Sequence, residues 1–243
     1  MDHEAELQGR VKADAHAFTR MCGGLYELRP SHADGRAMPA MVVKRRSIRR
    51  GGILFAVGDA PCAIYEVHAG CFKTCVASEN GREQVSGFHI VGDFMGLDGI
   101  GSERHGSEVV ALEDSQVNVV TFAVMSQLSR ESSAFQQWIH RLMSREGERC
   151  QQMMFLLGSL RAEERVAVFL LDLLERLNAR GYSATAVNLC MTRDEIGSHL
   201  GLSLETVSRM LTLLKRSGTV VVTHREVRIL NVAALRRVAA GPG

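Results

Sequence analysis

The chain has 243 residues, of which 46% are hydrophobic, so it is long enough to bury the core of one large domain or two smaller ones. This content excludes a largely disordered chain, and no apolar run approaches the roughly 18 residues that a membrane-spanning helix needs. The formal net charge of +2 is uneven, because residues 192–243 carry eight Lys and Arg against four Asp and Glu. A basic C-terminal segment favours a polyanionic partner.

Residues 1–40 are polar and weakly patterned, and we expect an N-terminal arm there with room for one helix. The first residues, MDHEAELQGRVKADAH, are charged and lack the apolar region of a secretory signal, so we expect a soluble, cytoplasmic protein. In that compartment the six cysteines are expected to be free thiols or ligands rather than disulfides.

The second segment, residues 41–124, has the rhythm of a β domain. Short apolar stretches recur about every ten residues from Val42 to Phe122. Turn pairs fall between them at Gly58-Asp59, Asn80-Gly81 and Gly92-Asp93. This pattern predicts an antiparallel β barrel or roll.

Residues 125–158 have a helical period, with apolar side chains near the a and d positions of a heptad and a polar centre around Gly147. One interpretation is a core-packing helix. The other is a dimerisation helix whose polar centre keeps the pairing of the two chains weak, so that the pairing can be adjusted. A two-fold axis through that middle would bring Cys150 close to its symmetry mate. The candidate dimer contacts are Trp138, Ile139, Leu142, Met143, Cys150 and Met153.

Residues 159–243 predict a helix-turn-helix followed by a β-hairpin. A helix over 161–179 ends at Gly181, and Thr192 with Glu195 then forms a capping box that starts the next helix. Gly201 permits a tight turn, and Ser203 is placed to cap the second helix of the motif. After Gly218, the stretch TVVVTHREVRIL alternates around a polar turn, as the wing of a winged helix does.

The second helix of this motif has two opposite faces. Val207, Met210, Leu211 and Leu214 are predicted to be buried, whereas Glu205, Ser208, Arg209 and Thr212 form an outward row.

The outward row has the chemistry of base recognition. Arg209 suits O6 and N7 of guanine, Glu205 suits the cytosine amino group, and Ser208 suits several bases. An ordinary solvated helix would not explain the capping box, the glycine turn and the wing together. Supporting DNA contacts are predicted at Thr192, Arg193, Ser203, Thr206, Thr212, Lys215 and Arg216.

The chain resembles the cAMP receptor protein/FNR superfamily of bacterial transcription regulators, and within it the FNR branch. The resemblance rests on "GDAPCAIYEVHAG", "GREQVSGFHIVGDFMGLDGIG", "ALEDSQV", "AEERVAVFL" and above all "MTRDEIGSHLGLSLETVSRML". It implies an α+β architecture with a β-roll sensory domain, a long dimerisation helix and a C-terminal winged helix-turn-helix. It also implies a homodimeric regulator, more often an activator, that binds a two-fold symmetric operator in double-stranded DNA and contacts RNA polymerase.

Two finer expectations come from the same resemblance. The recognition pattern E-x-x-S-R of the FNR branch maps onto Glu205, Ser208 and Arg209, which implies half-sites similar to TTGAT. The loop at about residues 77–84 corresponds to a polymerase-contacting loop of the family, although Arg82 stands where an acidic residue is often found.

The sensory half departs from both well-known branches. The cAMP-binding branch holds the cyclic phosphate with an Arg-Ser pair, but this chain reads His105-Gly106-Ser107, so cAMP sensing is disfavoured. The FNR branch holds a 4Fe–4S cluster on four cysteines, but this chain has only Cys22 in its N-terminal region and Asn118 at the place of the distant ligand. The four-cysteine motif is therefore absent, and the cofactor, whether iron–sulfur, haem or none, stays unknown.

Other interpretations remain open for the sensory half. Cys22, Cys62, Cys71 and Cys75 are candidates for a redox or ligand role in an oxygen, redox or related response, the alternative being small buried hydrophobes. A cofactor-free regulator controlled by its own expression keeps the same DNA chemistry. A cupin-type β-roll metalloenzyme would need an H-x-H ligand pair, which the chain lacks, so we expect no enzyme.

Overall fold

The computed structural model describes residues 23–28, 41–78, 80–183 and 185–241, with side chains from residue 44 onward. The chain forms two compact units. The first contains residues up to Ala77 together with Phe88–Met143, and the second contains Ser78–Gly87 together with Ser144–Gly243. Most of the expected N-terminal arm, including its helix and Cys22, lies outside the described residues. The described part of the arm is a strand, Gly23–Leu28.

Nine strands make two antiparallel sheets within the described residues before residue 122. They are β1 (Gly23–Leu28), β2 (Met41–Ile48), β3 (Ile53–Phe55), β4 (Ala63–Ala69), β5 (Cys71–Ala77), β6 (Glu83–Ile90), β7 (Phe94–Met95), β8 (Glu108–Ala111) and β9 (Ser115–Thr121). One sheet has the order β1-β2-β9-β4-β7 and the other β3-β8-β5-β6. The predicted β roll is confirmed, although the sequence pattern did not indicate β1, β6 or β7.

The turns and core of the roll follow from the sequence pattern. Gly58 and Gly92 have φ values of 87° and 81°, a left-handed conformation that favours glycine. Alternate side chains of the strands point inward to one apolar core, because successive residues of a strand face opposite sides. Phe72, Val117 and Ala63 are fully buried at its centre.

Three helices follow the roll: α1 (Phe122–Glu131), α2 (Ser133–Ser159) and α3 (Ala162–Asn178). The backbone of Ser132 is extended, so the helical segment expected from residue 125 is interrupted there. Gly147 lies inside α2 without breaking it. α2 has 27 residues and is therefore about 40 Å long.

The C-terminal part contains the helix-turn-helix and a three-stranded wing. Its elements are β10 (Ala186–Asn188), α4 (Arg193–Leu200), α5 (Leu204–Arg216), β11 (Val220–Thr223), β12 (Glu226–Ile229) and α6 (Val232–Ala240). The wing sheet has the order β10-β12-β11, so β10 adds a strand to the predicted hairpin. Neither β10 nor α6 was predicted.

No helix among the described residues is long and apolar enough to cross a membrane.

Candidate nucleic-acid interface

The first helix of the motif begins at the predicted capping box. The Thr192 hydroxyl accepts a hydrogen bond from the Glu195 backbone N–H at 3.2 Å, and the Glu195 carboxylate accepts one from the Thr192 N–H at 2.7 Å. Two backbone donors at the helix start are thereby satisfied. Ile196 and Leu200 then face inward and are fully buried, as predicted.

The turn between the helices depends on two glycines. Gly201 ends α4 with φ 62° and ψ 40°, a left-handed conformation typical of a helix C-terminus. Gly197 lies so close to the turn that a Cβ there would be 2.6 Å from the Leu202 carbonyl oxygen. Gly201 was predicted, whereas Gly197 was missed because a close approach between two segments leaves no local pattern.

The second helix, α5, divides into the two predicted faces. Ser203 caps it by accepting from the Thr206 N–H at 3.2 Å. Its buried side chains are Val207, Met210, Leu211 and Leu214, which confirms the predicted inner stripe. The opposite face is thereby left to polar residues.

On that outer face, Glu205, Arg209 and Thr212 are exposed and Ser208 is half-buried. The Thr212 hydroxyl donates to the Ser208 carbonyl at 2.8 Å, so its donor is already used. Hydrogen bonds from the Glu205 backbone N–H and the Ser203 hydroxyl lower the pKa of Glu205. At neutral pH the face therefore offers a carboxylate acceptor one helical turn from a guanidinium donor.

Five of the predicted supporting residues fall into two groups. Thr192, Ser203 and Thr206 already take part in helix caps. Lys215 and Arg216 are exposed in the last turn of α5.

Arg193, in the first turn of α4, is half-buried, and its burial lowers its pKa. Its buried Nη1 has no hydrogen-bond partner within the described part of the chain. A half-buried guanidinium with a vacant donor is a costly group unless an anion approaches it.

The wing contributes exposed polar and arginine side chains that the sequence pattern did not single out. His224 lies at the hairpin tip with φ 51°, the one non-glycine residue with positive φ among those described. Arg225 and Arg228 are exposed beside it, and Arg228 pairs with Glu226 at 3.1 Å. The sequence does indicate this tip, because the four polar residues T-H-R-E interrupt the alternating strand pattern at residues 223–226.

The segment Ser78–Gly87 belongs to the same compact unit as the helix-turn-helix. The Ser198 hydroxyl accepts from the Val85 N–H at 2.9 Å, and His199 Nδ1 donates to the Val85 carbonyl oxygen at 3.2 Å. Burial of the His199 ring lowers its pKa, so the neutral imidazole is favoured in this contact. Both backbone groups of Val85 are thus held by α4.

In the first unit, the Asp98 carboxylate holds the stretch His105-Gly106-Ser107, which the sequence comparison set against the Arg-Ser pair of the cAMP-binding branch. Asp98 accepts hydrogen bonds from His105 Nδ1, the Gly106 N–H and the Ser107 hydroxyl, each at 3.1 Å. The His105 ring is buried and stacks on Phe55 with centroids 3.8 Å apart. The three donors of this stretch are therefore already used by the Asp98 carboxylate, which is negatively charged as a phosphate is.

The place of the distant cluster ligand holds a buried polar row. Asn118 is 4% exposed; it donates to Glu66 Oε2 at 2.9 Å and accepts from Arg45 Nε at 3.2 Å. An amide, a carboxylate and a guanidinium do not fit an iron–sulfur cluster, which takes thiolates.

Among the candidate thiols, Cys71 and Cys75 are buried in β5 and Cys62 is half-buried. The described residues contain no group of three or more His, Cys, Asp or Glu placed to hold a metal ion.

The candidate dimer contacts on α2 are not equivalent. Trp138 is 6% exposed and packs edge-on against Phe94 within the first unit, where Ile139 and Leu142 also pack. Met143 and Cys150 are exposed, and Met153 is half-buried.

Comparison with known proteins gives the same two parts. Residues 45–132 match the family model of a cyclic nucleotide-binding domain, and residues 164–238 match that of a Crp-like helix-turn-helix domain.

Similar proteins cover most of the chain. The Transcriptional regulatory protein btr of Bordetella pertussis is 41% identical over 81% of this chain and 81% of its own. The Fumarate and nitrate reduction regulatory protein of Escherichia coli K12 is 38% identical over 82% of this chain and 80% of its own. The solved structure of FixK2 from Bradyrhizobium japonicum superposes with a TM-score of 0.76 at 28% identity, over 84% of this chain and all of that one.

Proposed function

Because the chain belongs to the CRP/FNR family of DNA-binding transcription regulators, we propose that it acts as a homodimer on a palindrome with TTGAT-like half-sites. The observation that carries this proposal is the outer face of α5, where Glu205, Ser208 and Arg209 lie on one side of a helix whose other side is buried. The second helix of such a motif enters the major groove, and there each base pair presents a distinct pattern of donors and acceptors.

The three base-reading residues have separate roles. Arg209 donates two hydrogen bonds to O6 and N7 of a guanine, and ionised Glu205 accepts from the amino group of a cytosine. Ser208, which is half-buried, contacts a neighbouring base at closer range. The half-site TTGAT contains one G·C base pair. Its guanine suits Arg209, and the cytosine paired with it suits Glu205.

Backbone contacts set the register of this helix on the duplex. Lys215 and Arg216 at the end of α5 contact phosphates, as does Arg193. The cap residues Thr192, Ser203 and Thr206, together with Thr212, are expected to lie close to the DNA backbone. The exposed Arg225 at the wing tip reaches a flanking phosphate. These contacts add affinity for every sequence alike.

The homodimer is formed through α2. Exposed Met143, Gly147, Cys150 and Met154 recur at intervals of four, three and four residues and thus share one stripe of the helix. Gly147 has open space where its Cβ would be, so a second helix would approach closely there. Met153 flanks this stripe, while Trp138, Ile139 and Leu142 anchor the start of the helix in the first unit.

Binding to duplex DNA tests the proposal. A palindrome of TTGAT half-sites is expected to bind far more tightly than a scrambled duplex of equal composition. Arg209→Ala is expected to cost about 1–3 kcal/mol and to relax the preference at one base position. Arg236→Ala, which removes an exposed arginine of α6 paired with Glu175, is the matched control and should bind normally. Equal affinity of the wild type for both duplexes would refute the proposed readout.

A cross-linking experiment tests the dimer. Mild oxidation followed by non-reducing electrophoresis is expected to give a dimer that Cys150→Ser abolishes and Cys190→Ser retains, because Cys150 is exposed on the stripe. A strictly monomeric protein under every redox condition would refute the homodimer.

The regulator responds to oxygen, redox state or a related signal and contacts RNA polymerase through residues 77–84. The similar proteins include the Fumarate and nitrate reduction regulatory protein and an Anaerobic regulatory protein of Pasteurella multocida. These names support the response to oxygen or redox state. Anaerobic purification with iron, sulfide and haem assays, then operator binding before and after air, tests the signal. Unchanged binding by a protein without cofactor would favour control by its own expression.

A further inference from the structure

The side chain of Arg165 joins the ends of two helices. Near the start of α3, its Nη2 donates to the Leu157 carbonyl at 2.7 Å and its Nε to the Leu160 carbonyl at 2.9 Å. Its Nη1 donates to the Leu200 carbonyl at 2.9 Å. Leu157 lies in the last turn of α2 and Leu200 is the last residue of α4. One guanidinium therefore connects the long helix to the turn of the helix-turn-helix.

The free carbonyl groups at a helix end and the partial negative charge there both favour a cation at this contact. The last carbonyl groups of a helix have no partner within it, and its C-terminus carries partial negative charge. Here the C-terminal ends of α2 and α4 converge on the same planar group, which presents several donors in fixed directions. A lysine has one nitrogen and would not reach all three carbonyl oxygens in this geometry.

The turn also approaches this contact closely. A Cβ on Gly201 would lie 3.2 Å from Leu157 Cδ2 and 3.3 Å from Arg165 Nη1. Gly201, which ends α4, is thus packed directly against the end of α2 and against Arg165 of α3. α3 is held independently by its own buried face, which includes Val166, Leu170 and Leu173. The arginine is therefore not needed to bury the core of this unit.

From this geometry we infer that Arg165 is a positioning residue, which fixes the helix-turn-helix against the end of α2 and thereby sets the separation of the two recognition helices. The inference rests on the proposed function, in which α2 pairs with its copy. The two recognition helices must bind two half-sites about one helical turn apart at the same time. If the helix-turn-helix moved relative to the end of α2, the distance between the recognition helices would vary and the preference for one half-site spacing would weaken. Arg165 itself needs no contact with DNA.

A spacing series tests this role. Purified full-length protein is titrated against palindromes whose half-site separation is native, one base pair shorter or one base pair longer. The wild type is expected to prefer one separation clearly. Arg165→Met, which keeps the apolar stem and loses the donors, is expected to lose about tenfold in affinity at that separation and less at the others. Its preference for TTGAT over altered half-sites should persist.

Two further variants and a control sharpen the test. Gly201→Ala disturbs the same contact from the other side and is expected to flatten the spacing profile similarly, and Arg165→Lys should fall between wild type and Arg165→Met. Arg236→Met, at an exposed position of α6, should leave the spacing preference unchanged. A uniform loss at all separations in a folded Arg165 variant would overturn the inference, and so would an unchanged profile in Arg165→Lys if Arg165→Met does not fold. A wild type without spacing preference would instead refute the proposed dimeric readout.

Discussion

Replacing Asp98 by alanine should destabilise the first unit, because this carboxylate holds the loop at residues 98–107 together. It accepts hydrogen bonds from the buried ring of His105, from the Gly106 N–H and from the Ser107 hydroxyl. Gly106 is exposed and Ser107 half-buried, so water can replace the carboxylate for these two donors. His105 is 3% exposed, so water reaches its Nδ1 less readily than the other two donors when the partly exposed Asp98 carboxylate is removed.

The expected loss follows from that difference. A buried donor left without its partner costs about 1–3 kcal/mol, whereas the two accessible donors lose little. We expect a loss of about 2 kcal/mol for Asp98→Ala. Asp98→Asn should lose less, because its amide oxygen can still accept from His105 Nδ1, the donor that carries most of the cost.

Trp138 provides the assay, because it is the single tryptophan of the chain and lies in the core of the first unit. Urea unfolding followed by its fluorescence should show a midpoint lowered by about 1 M for Asp98→Ala, given a denaturant slope of about 1–3 kcal/mol per M. Glu103→Ala, in the same loop and exposed, is the control and should not shift the midpoint. Equal midpoints for both variants would refute the role assigned to Asp98.

Three other changes have expected outcomes. Lys215→Ala should weaken binding to all duplexes alike and reduce the slope of log affinity against log salt by about 1, measured by titration at several salt concentrations. Gly197→Ala should lower the melting temperature, because its Cβ would lie 2.6 Å from the Leu202 carbonyl oxygen, whereas Gly158→Ala, whose Cβ would meet nothing within 4 Å, should not lower it. Burial lowers the pKa of His199 below its ordinary 6.5, so the unfolded chain binds the proton more tightly and stability should fall as the pH drops through 6.5. Melting curves from pH 8 to 5 should show this fall, and a His199→Gln variant that shows it equally would contradict the assignment.

The helix-turn-helix could be predicted from the sequence because its determinants are local. The capping box spans Thr192 to Glu195, the turn needs Gly201, and the inner stripe of α5 repeats at helical spacing. Each signal lies within a few residues and each points to the same motif. The predicted cap, turn and buried stripe are all confirmed.

The interior of the roll could not be predicted in the same way, because its contacts join distant parts of the chain. Asn118 bonds to Glu66 and Arg45, which are 52 and 73 residues away in sequence. Short apolar stretches indicated strands but carried no information on which strands pair. The polar row across β2, β9 and β4 becomes apparent only when the register Arg45↔Asn118↔Glu66 is known.

Helix α2 illustrates a further limit of periodicity. Trp138, Met143 and Cys150 were all candidate dimer contacts, yet Trp138 packs against Phe94 while Met143 and Cys150 are exposed. An apolar stripe records that a helix face is covered, and it does not record by what. One end of this stripe is covered by the strands of its own unit, so the pattern there owes nothing to a second chain. The proposed dimer would cover the exposed portion beyond Leu142, so substitutions at Met143 or Met154 are expected to separate dimerisation from folding.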